Sequence, residues 1–292
     1  QITLSHIYQP APRDLVVLPT FHLAFLFRSP WYRPASHRDW QKVSQYLAGT
    51  WPQPMPVIQR VPPAIWPQEG AFDTEFDGLG RLVRYSLAYE RSPGVGTQVH
   101  VVEAGGDMRV RALAPRVIMH HVEADLEYLR NDLGIQDLIY EDTMLLHACG
   151  WSDLDHDLDF VGSLYARTNR WKHLVHLNPR EYSAGDALGT LDVWTGLQPL
   201  LERDPQTAHV YRDLMLPWVP LLMKARSRGL RVNQDRVEAA ITKLEVFERR
   251  ALAKGVAASG WPINVGSASQ VTHWIYQIEK AHLNPISGRE RR

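Results

Sequence analysis

The amino-acid sequence predicts an α/β domain, a mixed sheet flanked by helices, with an α-helical C-terminal segment. Two observations carry that class. From residue 70 three apolar extended segments follow one another, then a strand, a helix, a short strand and more helices, in the order β-β-β-α-β-α. Beyond residue 208 the apolar spacing is helical.

In chain order, the apolar run Leu18-Pro19-Thr20-Phe21-His22-Leu23-Ala24-Phe25-Leu26-Phe27-Arg28 precedes a helical stretch that includes Asp39-Trp40-Gln41-Lys42-Val43. Residues 50–69, with six prolines from Pro52 to Pro67, read as a linker. Strands are expected over 70–77, about 82–90 and about 98–104, joined by turns at Gly78-Leu79-Gly80 and Pro93-Gly94-Val95-Gly96. Arg116-Val117-Ile118-Met119 is a further apolar strand. It leads into a helix whose Leu126, Leu129 and Leu133 recur at helical spacing, so Asp125 falls at the start of that helix. A short strand near 138–141 follows, then helices to about 203, among them the stretch that Tyr182-Ser183-Ala184-Gly185-Asp186 opens and Ala187, Leu188, Leu191 and Trp194 continue.

Asp73 and Glu75 in Gly70-Ala71-Phe72-Asp73-Thr74-Glu75-Phe76-Asp77-Gly78 are the most informative pair in the chain. Side chains alternate along a strand, so both carboxylates point to one face. There they repel unless a cation lies between them, and hard oxygen ligands suit Mg²⁺ or Mn²⁺. An edge strand with solvated acids is the alternative for that pair alone. Tyr182 and Asp186, four apart, project from one helix face.

Taken together, Asp73/Glu75, Asp125 and Tyr182-x-x-x-Asp186 resemble the three motifs of the DEDD exonucleases, and most closely the proofreading 3′–5′ exonuclease domain of family A DNA polymerases. Tyr140-Glu141-Asp142-Thr143-Met144-Leu145-Leu146-His147 and His156-Asp157-Leu158-Asp159-Phe160 extend the likeness. Tyr182 marks the tyrosine subtype, because the sister subfamily has His where this chain has Glu181. The resemblance implies a ribonuclease-H-like fold and two Mg²⁺ or Mn²⁺ ions. Asp73, Glu75 and Asp186 would hold the first, while Asp73 bridges to a second that Asp125 reaches directly or through water. It also implies that Tyr182 orients the attacking water, a role worth roughly 10²–10⁴-fold in rate. Leu79 matches a position that wedges against the terminal base, with a strand-end core leucine as the alternative. His121 stands where the family usually has Asn, followed by Glu123 and Ala124 in place of a basic and an aromatic residue, and could still bond substrate.

Two further resemblances bear on organisation. The run at 18–28 is similar to the last motif of uracil-DNA glycosylases, with His22 matching the His that stabilises the uracil anion. Leu23 replaces the usual Pro and the water-activating motif is missing, so residues 1–49 are expected to be an inactive remnant. Leu216-x-x-Val219-Pro220-Leu221-Leu222 through Asn233, and Asn264-Val265-Gly266-Ser267-x-Ser269-Gln270, look like the beginning and thumb of a family A polymerase domain. The expected division is thus a remnant at 1–49, a linker at 50–69, an exonuclease domain at 70–205 and the start of a polymerase domain at 206–292. The chain begins at Gln1 and stops before any palm or fingers motif, so it is expected to be cut from a longer protein of viral or phage-like origin and not to polymerise.

Composition sets outer bounds. At 292 residues, 45% hydrophobic and 22% charged, the chain is ordinary for a globular protein of two domains. No stretch nears the roughly 20 apolar residues of a membrane span, and no signal peptide is apparent. The single cysteine, Cys149, excludes an intrachain disulfide and fits a reducing cytosol, that of a bacterial host if the source is viral. Net charge is zero, but Arg167, Arg170, Lys172 and His173, then Lys224, Arg226, Arg228 and Arg231, form local basic groups that read as phosphate contacts or as solvated surface. Asp153, Asp155, Asp157 and Asp159 lack the glycine and terminal glutamate of a calcium loop and read as a turn with a helix cap. His173-x-x-His176 lacks the partners of a zinc site, and Gly94-x-Gly96 has no helix after it to hold a phosphate. The expected partner is a single-stranded or frayed DNA 3′ end, alongside polymerase palm and fingers. A silent DNA-clamping module is the rival reading, against which stand all four carboxylates and the tyrosine. An RNA-processing nuclease is disfavoured by the polymerase-like tail.

Overall fold

The computed structural model describes residues 18–64, 67–90, 96–103, 116–131 and 138–278. The turn expected at Pro93-Gly94-Val95, together with Leu133, lies outside them. The chain forms two compact units, Gln1–Ser227 and Arg228–Arg292, whereas the sequence reading placed its boundaries after 49, 69 and 205.

The first unit is built on a six-stranded mixed sheet in the order β1-β4-β3-β2-β5-β6. These are β1 (Ile58–Gln59), β2 (Glu69–Phe76), β3 (Leu82–Glu90), β4 (Thr97–Glu103), β5 (Arg116–Met119) and β6 (Ile139–Asp142). The β2-β3-β4 meander is antiparallel, and β5 and β6 continue parallel to β2. This is the ribonuclease-H-like arrangement that the element order predicts. The proline-rich segment does more than link, since Ile58 and Gln59 pair in parallel with Val99 and His100 and extend the sheet.

Strict alternation along the strands gives the sheet two apolar faces. Ala71, Ala88, Val99, Val101 and Ile118 enter one core; Phe72, Tyr85, Val102, Val117 and Met119 enter the other. The first face is covered by α6 (Pro179–Arg203), buried almost continuously from Ser183 to Trp194. Asn178 caps this helix and Pro179 opens it, so it starts a turn before Tyr182. The second face takes Val122, Leu126 and Leu129 of α3 (Val122–Asn131) and Val219 of α8 (Leu216–Arg228). The other helices of this unit are α1 (Leu23–Arg28), α2 (Arg33–Leu47), α4 (Thr143–Gly150), α5 (Leu158–Tyr165) and α7 (Pro205–His209), and a π-helical turn at Val210–Met215 leads into α8. His22 accepts a hydrogen bond from the Ala24 amide at 3.1 Å and caps α1. Asp157 caps α5, which agrees with a turn and cap rather than a calcium loop.

The second unit contains α9 (Gln234–Ser259) and α10 (Ala268–His273). Gly260 ends α9 in the left-handed conformation at φ 72°, which favours glycine. Ile263 is buried, and a side chain at Gly255 would meet Val265 at 2.4 Å, so the segment after α9 folds back onto it. Among the described residues no helix is long and apolar enough to cross a membrane.

Candidate metal centre

Strand β2 and helix α6 bring three carboxylates together. Asp73 and Glu75 leave β2 on the same face as Ala71, toward α6, and Asp186 meets them from one turn below Tyr182. One oxygen from each of Asp73, Glu75 and Asp186 lies within 4.8 Å of the others. Asp186 is buried, and the Asp73 Oδ2 atom is shielded from solvent with no hydrogen-bond partner. Burial, then repulsion from Asp125, Asp186 and Glu75, holds the Asp73 carboxyl well above the usual carboxylate range; Lys172 opposes this. Glu75 is raised for similar reasons, burial first and Asp186 second, with Arg84 and Lys172 opposing. The set is oxygen-only and carries more negative charge than the protein neutralises.

Two neighbours fix Asp186, and both of their bonds fall on Oδ1. The Trp171 indole N–H donates at 2.6 Å and the Lys172 ammonium lies at 2.5 Å. Lys172 also sits 3.4 Å from the Tyr182 hydroxyl oxygen and 4.9 Å from its ring centroid. Sequence reasoning read Lys172 as a phosphate contact or solvated surface and overlooked Trp171. A signal existed in Gly185-x-x-x-Gly189: spacing by four clears one helix face for a large side chain, and Trp171 fills it. Arg167 and Arg170, also before α6, are paired internally, Arg167 with Asp192 at 2.7 Å and Glu90 at 3.0 Å, and Arg170 with Asp159.

Asp125 adjoins this trio without being part of it. Thr74 points to the opposite face of β2 from Asp73 and Glu75, and its hydroxyl donates to Asp125 Oδ1. The turn that presents Asp125 is held by Asp142, whose carboxylate accepts from the amides of His121 (3.2 Å), Val122 (2.9 Å), Met144 (2.8 Å) and Leu145 (3.2 Å). Tyr211 anchors the same strand end, accepting from the Asp142 amide and donating to Glu141. Neither Thr74 nor Asp142 was singled out from the sequence, because their partners lie on other elements.

Burial pushes the Asp125 carboxyl up to about 7, with the Thr74 bonds pulling the other way. A carboxyl with a raised native pKa favours folding below its unfolded value near 4. That contribution is lost as pH rises through the native value. Relative to Asp125→Asn, the wild-type protein in chelator should therefore lose stability between about pH 4 and about pH 7 and level off above that. Denaturant unfolding at stepped pH reads the difference directly, and a flat difference curve would show that Asp125 ionises as an ordinary carboxylate. Taking the difference matters, since His120 and His147 are both lowered to about 4, chiefly by burial, and slope the total curve the other way.

Tyr182 is half-buried, and burial followed by Asp186 and Glu75 raises its phenol, so it remains a neutral hydrogen-bond donor. Leu79 is 78% exposed in the β2–β3 turn, which excludes the strand-end core alternative. That turn is fastened by Asp77, which accepts from the Leu79 amide and pairs with Arg81 at 2.7 Å. His121 is exposed at φ 66°, a left-handed backbone that Asn, Asp and His tolerate best among side-chain-bearing residues. The departure from Asn thus keeps a residue compatible with the turn. Its neighbour His120 points inward to Thr143 and the His156 carbonyl.

No family model and no curated protein matches the sequence. Among solved structures, the chain is similar to Brucella melitensis NrnC with bound Mg²⁺, at 19% identity over 59% of this chain and 92% of that one, TM-score 0.44. It is also similar to the POL domain of Pol1 from M. smegmatis in complex with DNA primer-template and dNTP, at 14% identity over 76% of this chain and 41% of that one, TM-score 0.48. A third similar structure is the catalytic core of RRP6 from Trypanosoma brucei, at 21% identity over 50% and 45% of the two chains, TM-score 0.38.

Proposed function

We propose that the protein is a metal-dependent 3′–5′ exonuclease that removes nucleotides from single-stranded or frayed DNA 3′ ends, as the proofreading part of a family A DNA polymerase. The observation that carries the hydrolytic reading is the convergence of Asp73, Glu75 and Asp186 within 4.8 Å, around a buried carboxylate oxygen without a partner. Oxygen-only donors in surplus negative charge fit Mg²⁺ or Mn²⁺. A pair of such ions held there would supply an activated water and charge stabilisation at the attacked phosphate and the departing oxygen.

The chain's own residues divide the remaining work. Asp73, Glu75 and Asp186 would hold one ion, and Asp73 with Asp125 the other. Tyr182, kept as a neutral phenol, donates a hydrogen bond that orients the attacking water. Lys172 donates to the Tyr182 oxygen, which turns the phenol proton away from the ammonium and toward the cluster. Without metal, Lys172 is the cation closest to Asp186, and its stem is long enough to yield that carboxylate to an ion. Leu79, exposed at the strand turn, is available to pack against a terminal base, and His121 to meet the strand. The polymerase setting is supported by the likeness of Leu216–Asn233 and Asn264–Gln270 to the start and thumb of that domain.

The test is a 5′-labelled DNA oligonucleotide incubated with Mn²⁺ and with EDTA, beside an RNA strand of the same sequence. A ladder of shortened DNA products that requires metal is expected. A protein that binds the strand and never shortens it is a silent clamping module instead, and faster digestion of RNA would move the substrate class. Tyr182→Phe should slow digestion about 10–100-fold with metal affinity unchanged. If it weakens metal binding as much as Asp186→Ala, the hydroxyl organises the carboxylates rather than the water.

A further inference from the structure

A second concentration of charge lies away from the carboxylates. Between α2, Trp51 and the α5–α6 junction is a cavity of about 200 Å³ whose walls include Arg38, Lys42, Trp51, Tyr165, Arg167 and Asp192. Asp192 follows Asp186 by six residues on α6, on the order of 9 Å along the helix axis. Of the three cations, Arg167 is neutralised by Asp192 and Glu90. The other two are not. Arg38 stacks over the Tyr165 ring at 4.8 Å and bonds neutral groups, the Gln41 side chain and the Tyr165 hydroxyl. Lys42 donates to the Ser163 carbonyl at 2.5 Å and lies 5.2 Å from the Trp51 ring centroid. Neither forms an ion pair with a carboxylate among the described residues.

A cation withdrawn from water against neutral acceptors is costly unless a counter-charge joins it. That cost is visible at Lys42, whose ammonium is lowered to about 8, chiefly by burial, although Asp39 and Asp192 act to raise it from longer range. A planar guanidinium and a compact ammonium facing one cavity match an oxyanion with several acceptor oxygens. The volume leaves room for a small organic group beside it.

We propose that this cavity is a phosphate site, with Arg38 and Lys42 as its cationic ligands. The phosphate belongs either to a free nucleotide or to a nucleic-acid strand running over the α2–α6 surface. The site is separate from the carboxylate trio and does not rest on the hydrolytic reading.

The experiment measures thermal unfolding of the full chain in chelator, with inorganic phosphate, dAMP or the oligonucleotide dT8, each against sodium chloride at matched ionic strength. Phosphate-bearing probes should raise the midpoint by a few degrees, and titration should show binding weakened about tenfold in Arg38→Gln and lost in Arg38→Gln/Lys42→Met. A larger response to dAMP than to dT8 assigns the phosphate to a free nucleotide, and the reverse assigns it to a strand. Chloride acting as well as phosphate overturns the proposal, as does an unchanged response in both variants. So does a response that Asp73→Asn strengthens, since the anion would then be sitting beside the carboxylates, whose charge repels it. Should Lys42→Met fail to fold, Arg38→Gln alone decides, with ³¹P line broadening as the direct readout.

Discussion

Asp73→Asn should abolish hydrolysis, by ~10³-fold or more, while the metal-free protein becomes more stable. Both effects follow from one arrangement. Asp73 clusters with Glu75 and Asp186 and also feels the charge of Asp125, so its carboxylate is the one a pair of ions would share. In the absence of metal, the same charge is buried beside three like charges and one of its oxygens has no partner. Asparagine keeps the shape and removes the charge. The expected gain in chelator is on the order of 1 kcal/mol, a midpoint about 2–4 °C higher for a domain of this size. With Mn²⁺ added the order should invert, because only the wild-type protein binds the ion. Activity above a few per cent of wild type would remove Asp73 from the shared position. A fall in metal-free stability would mean that the Lys172 ammonium already compensates the cluster.

Trp171→Ala should cost about 3–5 kcal/mol and take metal binding with it. The indole is 4% exposed and fills a slot made by three glycines, where a Cβ at Gly162, Gly185 or Gly189 would approach the ring to 2.8, 2.3 or 2.4 Å. Glycines carry no side chain to fill that volume, so truncation leaves a cavity under α6. The ring also positions Asp186 through its N–H. Trp171→Phe separates the two roles, since it retains most of the packing and loses the donor. Metal affinity measured by calorimetry should then fall about 10–100-fold in a protein that unfolds cooperatively. Wild-type affinity in the phenylalanine variant would reduce Trp171 to packing alone, and equilibrium unfolding of the alanine variant near wild-type stability would show that the slot closes on itself.

Much of the architecture could be read directly from residue pattern. Apolar runs bounded by turn residues located β2, β3 and β4 within a residue or two, because each strand is buried on both faces of the sheet. Period-two alternation placed Asp73 and Glu75 on one face, and helical spacing did so for Tyr182 and Asp186. The two-residue β1 was not legible: its prolines signal a linker, and only the free edge of β4 makes Ile58 and Gln59 a strand.

What the sequence determined by itself is therefore local: element type, the face on which each acidic residue sits, and a donor set whose oxygens suit a hard divalent cation. Tertiary structure alone decided which of those groups meet. It closed Asp73, Glu75 and Asp186 into one cluster, set Asp125 beside it through Thr74, and spent Lys172, Arg167 and Arg170 on internal carboxylates. It also brought Arg38 and Lys42 to a common cavity although neither belongs to a recognisable motif. The physical reason is reach. Periodicity acts within one element, whereas charge pairing and indole packing act between elements whose separation along the chain carries no spacing signal.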